Sequence, residues 1–180
     1  MAKIESAKIG ILGGSFDPAH RGHLKISNIA LKKFKLKKIY WIITKKNPFK
    51  TKTFFSIKER IKYAKNIVKK SKNIEVIYID DKIKSSKSIK VIQYILKNKK
   101  PKDLYFIVGT DILLNFQKWY NWKRIVKLAK LIVFSRKGYD KKNINTIVIR
   151  YLKKNNVIFV KNKLIQVSSS SLKKRVRTPN

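Results

Sequence analysis

Six short apolar runs, separated by longer stretches with helical periodicity, constrain the fold of this chain more than any other feature. The runs are rich in Ile, Val, Tyr and Phe, and most of them do not alternate with polar residues. This pattern is typical of strands that are covered on both faces, as in a parallel sheet. The predicted strands are 8–13, 38–43, 74–79, 104–108, 131–134 and 157–160.

The stretches between the strands predict amphipathic helices. The second of them begins with Ser56 and carries Glu59 three residues later, which is typical of a capping box. Because strands and helices alternate along the chain, we predict an α/β fold with a doubly wound, mostly parallel sheet and right-handed crossovers. The predicted helices are 23–34, 56–68, 88–97, 122–129 and, with a weaker period, 144–152.

The length and hydrophobic content suit a single domain, predicted over 1–180. The chain has 180 residues, 43% of them hydrophobic, which is enough to form one core. We find no internal repeat and no interdomain linker. Two polar stretches, 44–53 and 80–87, are long for connections in such a fold. Loops of this kind often line a ligand crevice, but ordinary surface loops explain them equally well.

The composition excludes several function classes. The chain has no cysteine, so disulfides, thiolate metal sites and cysteine nucleophiles are ruled out. No apolar run approaches the roughly 20 residues that a membrane span needs. The first apolar run is followed at once by Asp17 and His20, unlike a signal peptide. We therefore expect no membrane partner and a cytoplasmic location.

The formal net charge of +37 has two possible explanations. Clustered basic residues bind nucleic-acid phosphates. However, only seven of the 46 basic residues are Arg, and the lysines are spread along the whole chain. Lys, Ile and Asn share AT-rich codons, so genome base composition is the favoured explanation and no specific nucleic-acid partner is expected. In either case the charge should attract anionic substrates such as ATP.

Glycines and histidines follow the first predicted strand. Gly13 and Gly14 allow a tight turn and close approach of a ligand, and Gly22 lies just before the helix that begins near His23. The free N–H groups and the dipole of that helix would favour a phosphate. His20 and His23 are the only histidines, and their spacing lets both face one spot if the first turn is helical.

Metal binding is an alternative interpretation of this turn. Asp17 and the two histidines could form a facial triad of ligands. We favour phosphate binding, because close approach of a phosphate also explains the flanking glycines. The catalytic candidates are therefore His20 and His23, with no metal ligand assigned.

This turn resembles a known signature. The sequence of 14–18, Gly-Ser-Phe-Asp-Pro, followed at 20–23 by His-Arg-Gly-His, is similar to the motif of the HxGH nucleotidyltransferase superfamily. The resemblance implies a Rossmann-like nucleotidyltransferase fold, in which His20 and His23 contact ATP phosphates and stabilise the transition state. It also implies ATP contacts from the residues around the turn, which are Gly13, Gly14, Ser15 and Phe16.

A second group of residues resembles the bacterial nicotinate-nucleotide adenylyltransferases. Gly109 and Asp111 follow the fourth predicted strand, and Trp119 comes eight residues after the aspartate. In that family the aspartate helps to bind adenosine and the tryptophan stacks on the nicotinate ring. The resemblance thus implies ATP contacts at Gly109 and Asp111, and nicotinate contacts at Trp119 and Tyr120. An indole is a suitable flat platform for a pyridine ring.

Further matches place substrate contacts near the loops and the C-terminus. The family's Pro-Pro-His-Lys becomes Asn-Pro-Phe-Lys, which loses the histidine but keeps Lys50 as an ATP contact. Ser169 and Ser170 lie in a serine run similar to the family's Ile-Ser-Ser-Thr, and they are candidates for ATP contacts. The family's arginine after that run is Lys173 here, a point charge instead of a planar fork. Arg175 is the alternative replacement.

Two more residues are implied on the side of the nicotinate nucleotide. Arg136 lies in a segment similar to the family's Arg-x-Gly-Tyr, and it would hold an anionic group of that nucleotide. Ser88 stands in the place of a hydroxyl in the family's Ser-Tyr-Thr.

The resemblance implies one reaction and leaves alternatives open. AMP would pass from ATP to nicotinate mononucleotide, giving deamido-NAD and pyrophosphate, with Mg²⁺ arriving on ATP. A related adenylyltransferase could instead use nicotinamide mononucleotide or phosphopantetheine as the acceptor. A basic nucleic-acid-binding protein is the alternative from a different class.

Overall fold

The computed structural model describes residues 7–45, 53–135, 147–152, 157–161 and 169. Six strands form one sheet in which each neighbouring pair is parallel. The strands are β1 Lys8–Gly14, β2 Lys38–Ile43, β3 Ile74–Ile77, β4 Asp103–Gly109, β5 Lys130–Phe134 and β6 Val157–Val160. The helices are α1 Arg21–Phe34, α2 Ile57–Val68, α3 Ser88–Lys99, α4 Thr110–Leu113, α5 Trp122–Leu128 and α6 Ile147–Leu152, with a 3₁₀ turn at Phe116–Lys118.

The strand order is β3-β2-β1-β4-β5-β6. The chain moves outward from β1 to β3 and then returns to place β4 on the other side of β1. In such a sheet, ligands bind beyond the carboxyl ends of the two strands where the order reverses. The predicted doubly wound parallel α/β fold is therefore confirmed, and the site is expected beyond β1 and β4.

Helices cover both faces of the sheet, which explains why the strands lack polar alternation. On β2, Tyr40 and Ile42 belong to the core on one face, whereas Ile39, Trp41 and Ile43 belong to the core on the other. The first core includes buried residues of α3 and α5, and the second includes those of α1 and α2. Among the described residues, no helix has the length and hydropathy to cross a bilayer.

Gly10 in β1 serves packing rather than ligand binding. A Cβ at this position would lie 2.9 Å from Cγ1 of Ile39 and 3.0 Å from Cδ1 of Leu36. A larger residue would push these side chains apart in a closely packed interior.

Element boundaries differ from prediction in a few places. Helix α1 begins at Arg21, two residues earlier than predicted, because His20 caps it. The α4 helix and the 3₁₀ turn after β4 were not predicted, since such short elements show no clear period. The first residues of the last predicted helix, 144–146, lie outside the described residues. The extent of the single domain stays a prediction.

Candidate active site

The two histidines cap helix α1. His20 is the N-cap in an extended conformation, and its Nδ1 accepts a hydrogen bond from the backbone N–H of Gly22 at 3.1 Å. In return, Nδ1 of His23 accepts a bond from the backbone N–H of His20 at 3.2 Å. This is a reciprocal capping box in which imidazoles occupy the positions that a hydroxyl and a carboxylate usually take.

This arrangement fixes the tautomer of both rings. A neutral imidazole has one donor and one acceptor nitrogen, and here Nδ1 is the acceptor in both residues. The proton of each neutral ring therefore lies on Nε2. The ring centroids are 3.8 Å apart, which confirms that the two side chains face one spot. Their catalytic roles stay predictions.

Aromatic side chains support His23 from the interior. Phe16 lies 4.8 Å from the His23 ring, and Trp41 meets that ring edge-on at 5.9 Å. Phe16 and Trp41 also stack at 5.1 Å, and Nε1 of Trp41 donates to the hydroxyl of Ser27 at 2.8 Å. Phe16 is only 3% exposed, and its contact with ATP stays a prediction. Trp41 carries no functional signal in the sequence, since an aromatic residue in an apolar strand is indistinguishable from core.

Asp17 connects the turn to the segment before α2. Its side chain is fully buried, and its two carboxylate oxygens accept hydrogen bonds from the backbone N–H groups of Phe54 and Phe55, at 2.9 and 2.8 Å. Both oxygens are thus used within the protein. The geometry supports a role for Asp17 in organising the turn and gives no support to the facial-triad alternative.

Gly109 and Asp111 lie across the crevice from this turn. Strands β1 and β4 pair in parallel with Leu12 opposite Ile107, so Gly14 and Gly109 end their strands at the same level. Gly109 is the N-cap of α4, and Asp111 lies in the first turn of that helix. The residues predicted to bind ATP phosphate and adenosine therefore flank the point where the strand order reverses.

Ser169 joins this region from the far end of the chain. Its hydroxyl donates to the carbonyl of Pro18 at 3.0 Å, although the two residues are 151 positions apart. The structure thus brings one of the predicted ATP-binding serines to the histidine turn. Four other predicted site residues, Lys50, Arg136, Ser170 and Lys173, lie outside the described residues.

Three of the residues predicted on the acceptor side, Ser88, Trp119 and Tyr120, lie in one neighbourhood. Trp119 stacks on buried Phe116 at 5.1 Å and meets Phe106 edge-on at 5.9 Å, and its contact with the acceptor ring stays a prediction. Tyr120 is 60% exposed, and the ammonium of Lys87 lies 4.0 Å from the centre of its ring. Lys87 immediately precedes Ser88, the first residue of α3.

Arg60 is a buried cation that sequence analysis missed. It lies in α2 with an exposure of 2%, and its Nη1 donates to the carbonyls of Ser15 and Thr44, both at 2.8 Å. Burial lowers the pKa of the guanidinium, and the negative charge of Asp17 opposes that shift. An arginine on an amphipathic helix gives no sequence signal of burial, because most such side chains face solvent.

Asp80 is a second buried charge that was missed. It is 3% exposed and follows β3. Its Oδ2 accepts hydrogen bonds from the hydroxyl of Thr44 at 3.1 Å, the backbone N–H of Lys45 at 2.8 Å and the hydroxyl of Ser86 at 2.6 Å. The adjacent Asp81 is exposed, so the sequence could not indicate which of the two carboxylates is interior.

Comparison with known proteins places this architecture in a family. The family model described as cytidylyltransferase-like matches residues 11–175. A Pelagibacter ubique (strain HTCC1062) protein named "Probable nicotinate-nucleotide adenylyltransferase" is 47% identical over 170 residues, which are 94% of each chain. A Clostridium tetani protein of the same name is 33% identical over 94% of this chain and 87% of its own length.

Solved structures agree on the fold. The Plasmodium falciparum nicotinic acid mononucleotide adenylyltransferase complexed with APC has a TM-score of 0.74 at 16% identity, and the match covers 93% of this chain and 83% of that one. The same enzyme complexed with NaAD has a TM-score of 0.71 at 18% identity over the same shares. The chain therefore belongs to the cytidylyltransferase-like family and, within it, to the nicotinate-nucleotide adenylyltransferases.

Proposed function

We propose that this chain transfers AMP from ATP to nicotinate mononucleotide, forming deamido-NAD and pyrophosphate. The observation that carries the proposal is the pair of histidines, whose rings lie 3.8 Å apart at the N-terminus of α1 beside the reversal of strand order. A helix N-terminus and two fixed N–H donors suit phosphate oxygens. Membership of the family, in which relatives carry the name of this activity, supports the same reaction.

The chemistry needs no protein nucleophile. An oxygen of the acceptor's 5′-phosphate attacks the α-phosphorus of ATP in line. The bond between that phosphorus and the oxygen bridging to the β-phosphate breaks, and pyrophosphate leaves with its electron pair. His20 and His23 would donate to the phosphate oxygens, where negative charge develops during transfer. Positioning and charge stabilisation of this kind dominate nucleotidyl and phosphoryl transfer.

Mg²⁺ is proposed to arrive bound to ATP. The described residues contain no group of three or more His, Asp or Glu side chains that could hold a metal ion, and both oxygens of Asp17 accept backbone hydrogen bonds. The residues present therefore fit an ion held by phosphate oxygens and water, as Mg²⁺ often is. When bound, it would neutralise phosphate charge. The residues of this chain then have to orient the nucleotide and donate hydrogen bonds.

The acceptor is proposed to be the nicotinate nucleotide rather than its amide. The names of the relatives favour it, and the ammonium of Lys87 supplies a positive charge beside Tyr120 on the acceptor side. A carboxylate gains from a nearby cation in a way that a neutral amide does not. We place the reaction in the cytoplasm and propose no specific nucleic-acid partner.

The test is pyrophosphate release from ATP with nicotinate mononucleotide or nicotinamide mononucleotide as the acceptor. We expect kcat/KM to be at least about tenfold higher for the nicotinate nucleotide, because one charge-assisted contact contributes that much. Phosphopantetheine serves as a third acceptor and should give no release above background. Release with neither pyridine nucleotide would contradict the proposed function.

A further inference from the structure

The carboxylate of Asp80 joins two loops at the carboxyl edge of the sheet. Thr44 and Lys45 begin the connection after β2, whereas Ser86 belongs to the connection between β3 and α3. Groups from both connections donate to the same oxygen, Oδ2, at 2.6 to 3.1 Å. Hydrogen bonds to a buried carboxylate are among the stronger ones in proteins. The side chain of Asp80 thus links these two connections.

On one side, this link continues to residues 13–23, which we call the phosphate turn. The backbone N–H of Thr44 donates to the carbonyl of Gly14 at 3.0 Å, and its own carbonyl accepts from Arg60. The same Nη1 of Arg60 holds the carbonyl of Ser15. Thr44 is therefore fixed by its backbone from two directions, independently of its hydroxyl.

On the other side, the link continues to the predicted acceptor region. We call residues 80–87 the acceptor loop. Within this loop, the backbone N–H of Ser85 donates a hydrogen bond to the carbonyl of Asp80 at 2.9 Å. After Ser86, the backbone N–H of Lys87 donates to the hydroxyl of Ser85 at 3.1 Å, and the Lys87 ammonium lies over Tyr120. Ser88 then begins α3.

We propose that Asp80 is a positioning residue that holds the acceptor loop in register with the phosphate turn through its bond to Ser86. The acceptor must bind with its attacking oxygen close to and in line with the α-phosphorus, so a displaced acceptor loop weakens binding of the acceptor and also lowers the rate. Asp80 is buried and acts through Ser86 and Thr44, not by touching either substrate. The inference rests on the proposed function, because it assigns these loops to the two substrates of that reaction.

Two matched substitutions test this role. Ser86→Ala and Thr44→Val each remove one hydroxyl from the same carboxylate oxygen, but only Ser86 lies in the acceptor loop. We expect Ser86→Ala to raise the KM for nicotinate mononucleotide about fivefold and to leave the KM for ATP within about twofold, the effect of one lost hydrogen bond. Thr44→Val should change both KM values less than about twofold, since backbone bonds still fix Thr44.

The carboxylate itself gives a rescue test. Asp80→Ala leaves three donors without their acceptor and should raise the acceptor KM about tenfold or more. Asp80→Asn should restore most of the affinity, because its amide oxygen can occupy the Oδ2 position. The other oxygen, Oδ1, has no hydrogen-bond partner among the described residues, so an amide nitrogen there breaks no described bond. If Asp80→Ala fails to fold, the comparison of Ser86→Ala with Thr44→Val still tests the proposal.

The outcomes separate the two proposals. Wild-type protein that releases no pyrophosphate with the nicotinate nucleotide overturns the proposed function and this inference with it. Active wild-type protein in which Ser86→Ala and Thr44→Val behave alike overturns only the positioning role. So does an equal rise of the two KM values in Ser86→Ala, since that result would indicate a general loss of structure.

Discussion

The turn after β1 and the connections after β2 and β3 lie at the same edge of the sheet, and polar side chains hold both of them. In the turn, His20 and His23 bond backbone groups only two or three residues away. The connections are held by Arg60 of α2 and by Asp80, which bond partners up to 45 and 36 residues away. The local bonds arrange the groups proposed to act on phosphate. The long-range bonds fix the turn that carries those groups relative to the connections that carry the acceptor site.

The largest effect on activity is expected from the local bonds of the histidine turn. His23→Ala should lower kcat/KM about 10³-fold, because one of two donors to the reacting phosphate is lost. The same substitution also removes half of the capping box, so a drop in activity alone would not separate catalysis from helix capping. Circular dichroism should show an intact fold.

His23→Gln separates the two roles of this residue. Glutamine at the third helical position can accept the bond from the backbone N–H of the N-cap, as in an ordinary capping box. We therefore expect His23→Gln to keep a Tm close to that of the wild type while losing activity as severely as His23→Ala. Activity within about tenfold of the wild type would assign His23 to capping alone.

The contrast between local and long-range contacts also explains which features could be predicted from the sequence. The strands were recognisable because burial on both faces leaves continuous apolar runs, and the histidine turn was recognisable because all its parts lie within 11 consecutive residues, 13–23. Arg60 and Asp80 were missed because their burial depends on loops that meet only in the folded chain. Trp41 and Gly10 were missed for a related reason: each resembles an ordinary strand residue until its neighbour on the adjacent strand or helix is known.

The next prediction tests the long-range hydrogen bonds of Arg60. Arg60→Met should lower the free energy of unfolding by about 2–3 kcal/mol, because a buried and a half-buried carbonyl lose a charged donor. The measurement is urea denaturation followed by circular dichroism. Arg124→Met, an exposed position on α5, is the matched control and should change stability by less than about 0.5 kcal/mol. Equal effects of the two substitutions would show that the buried bonds of Arg60 do not stabilise the fold.

The smallest effect is expected at the capping box of α2, which can be compared with that of α1. Helix α2 has the ordinary kind, in which Ser56 and Glu59 bond each other's backbone N–H groups. Ser56→Ala should cost about 1 kcal/mol and leave catalysis close to that of the wild type. This is the opposite of the pattern expected for His23→Gln, where the cap is kept and the chemistry is lost.

The pH dependence of that cost identifies its source. Hydrogen bonds from the Ser56 hydroxyl and backbone lower the pKa of Glu59 below its ordinary value of 4.5. A carboxylate with a lowered pKa stabilises the folded state above its unfolded pKa and loses that contribution as the pH falls through the folded one. The difference in unfolding free energy between wild type and Ser56→Ala should therefore be constant near neutrality and shrink below about pH 4.5. A difference that stays constant down to pH 3 would assign the whole cost to the hydroxyl that accepts from the Glu59 N–H, with no part from the glutamate charge.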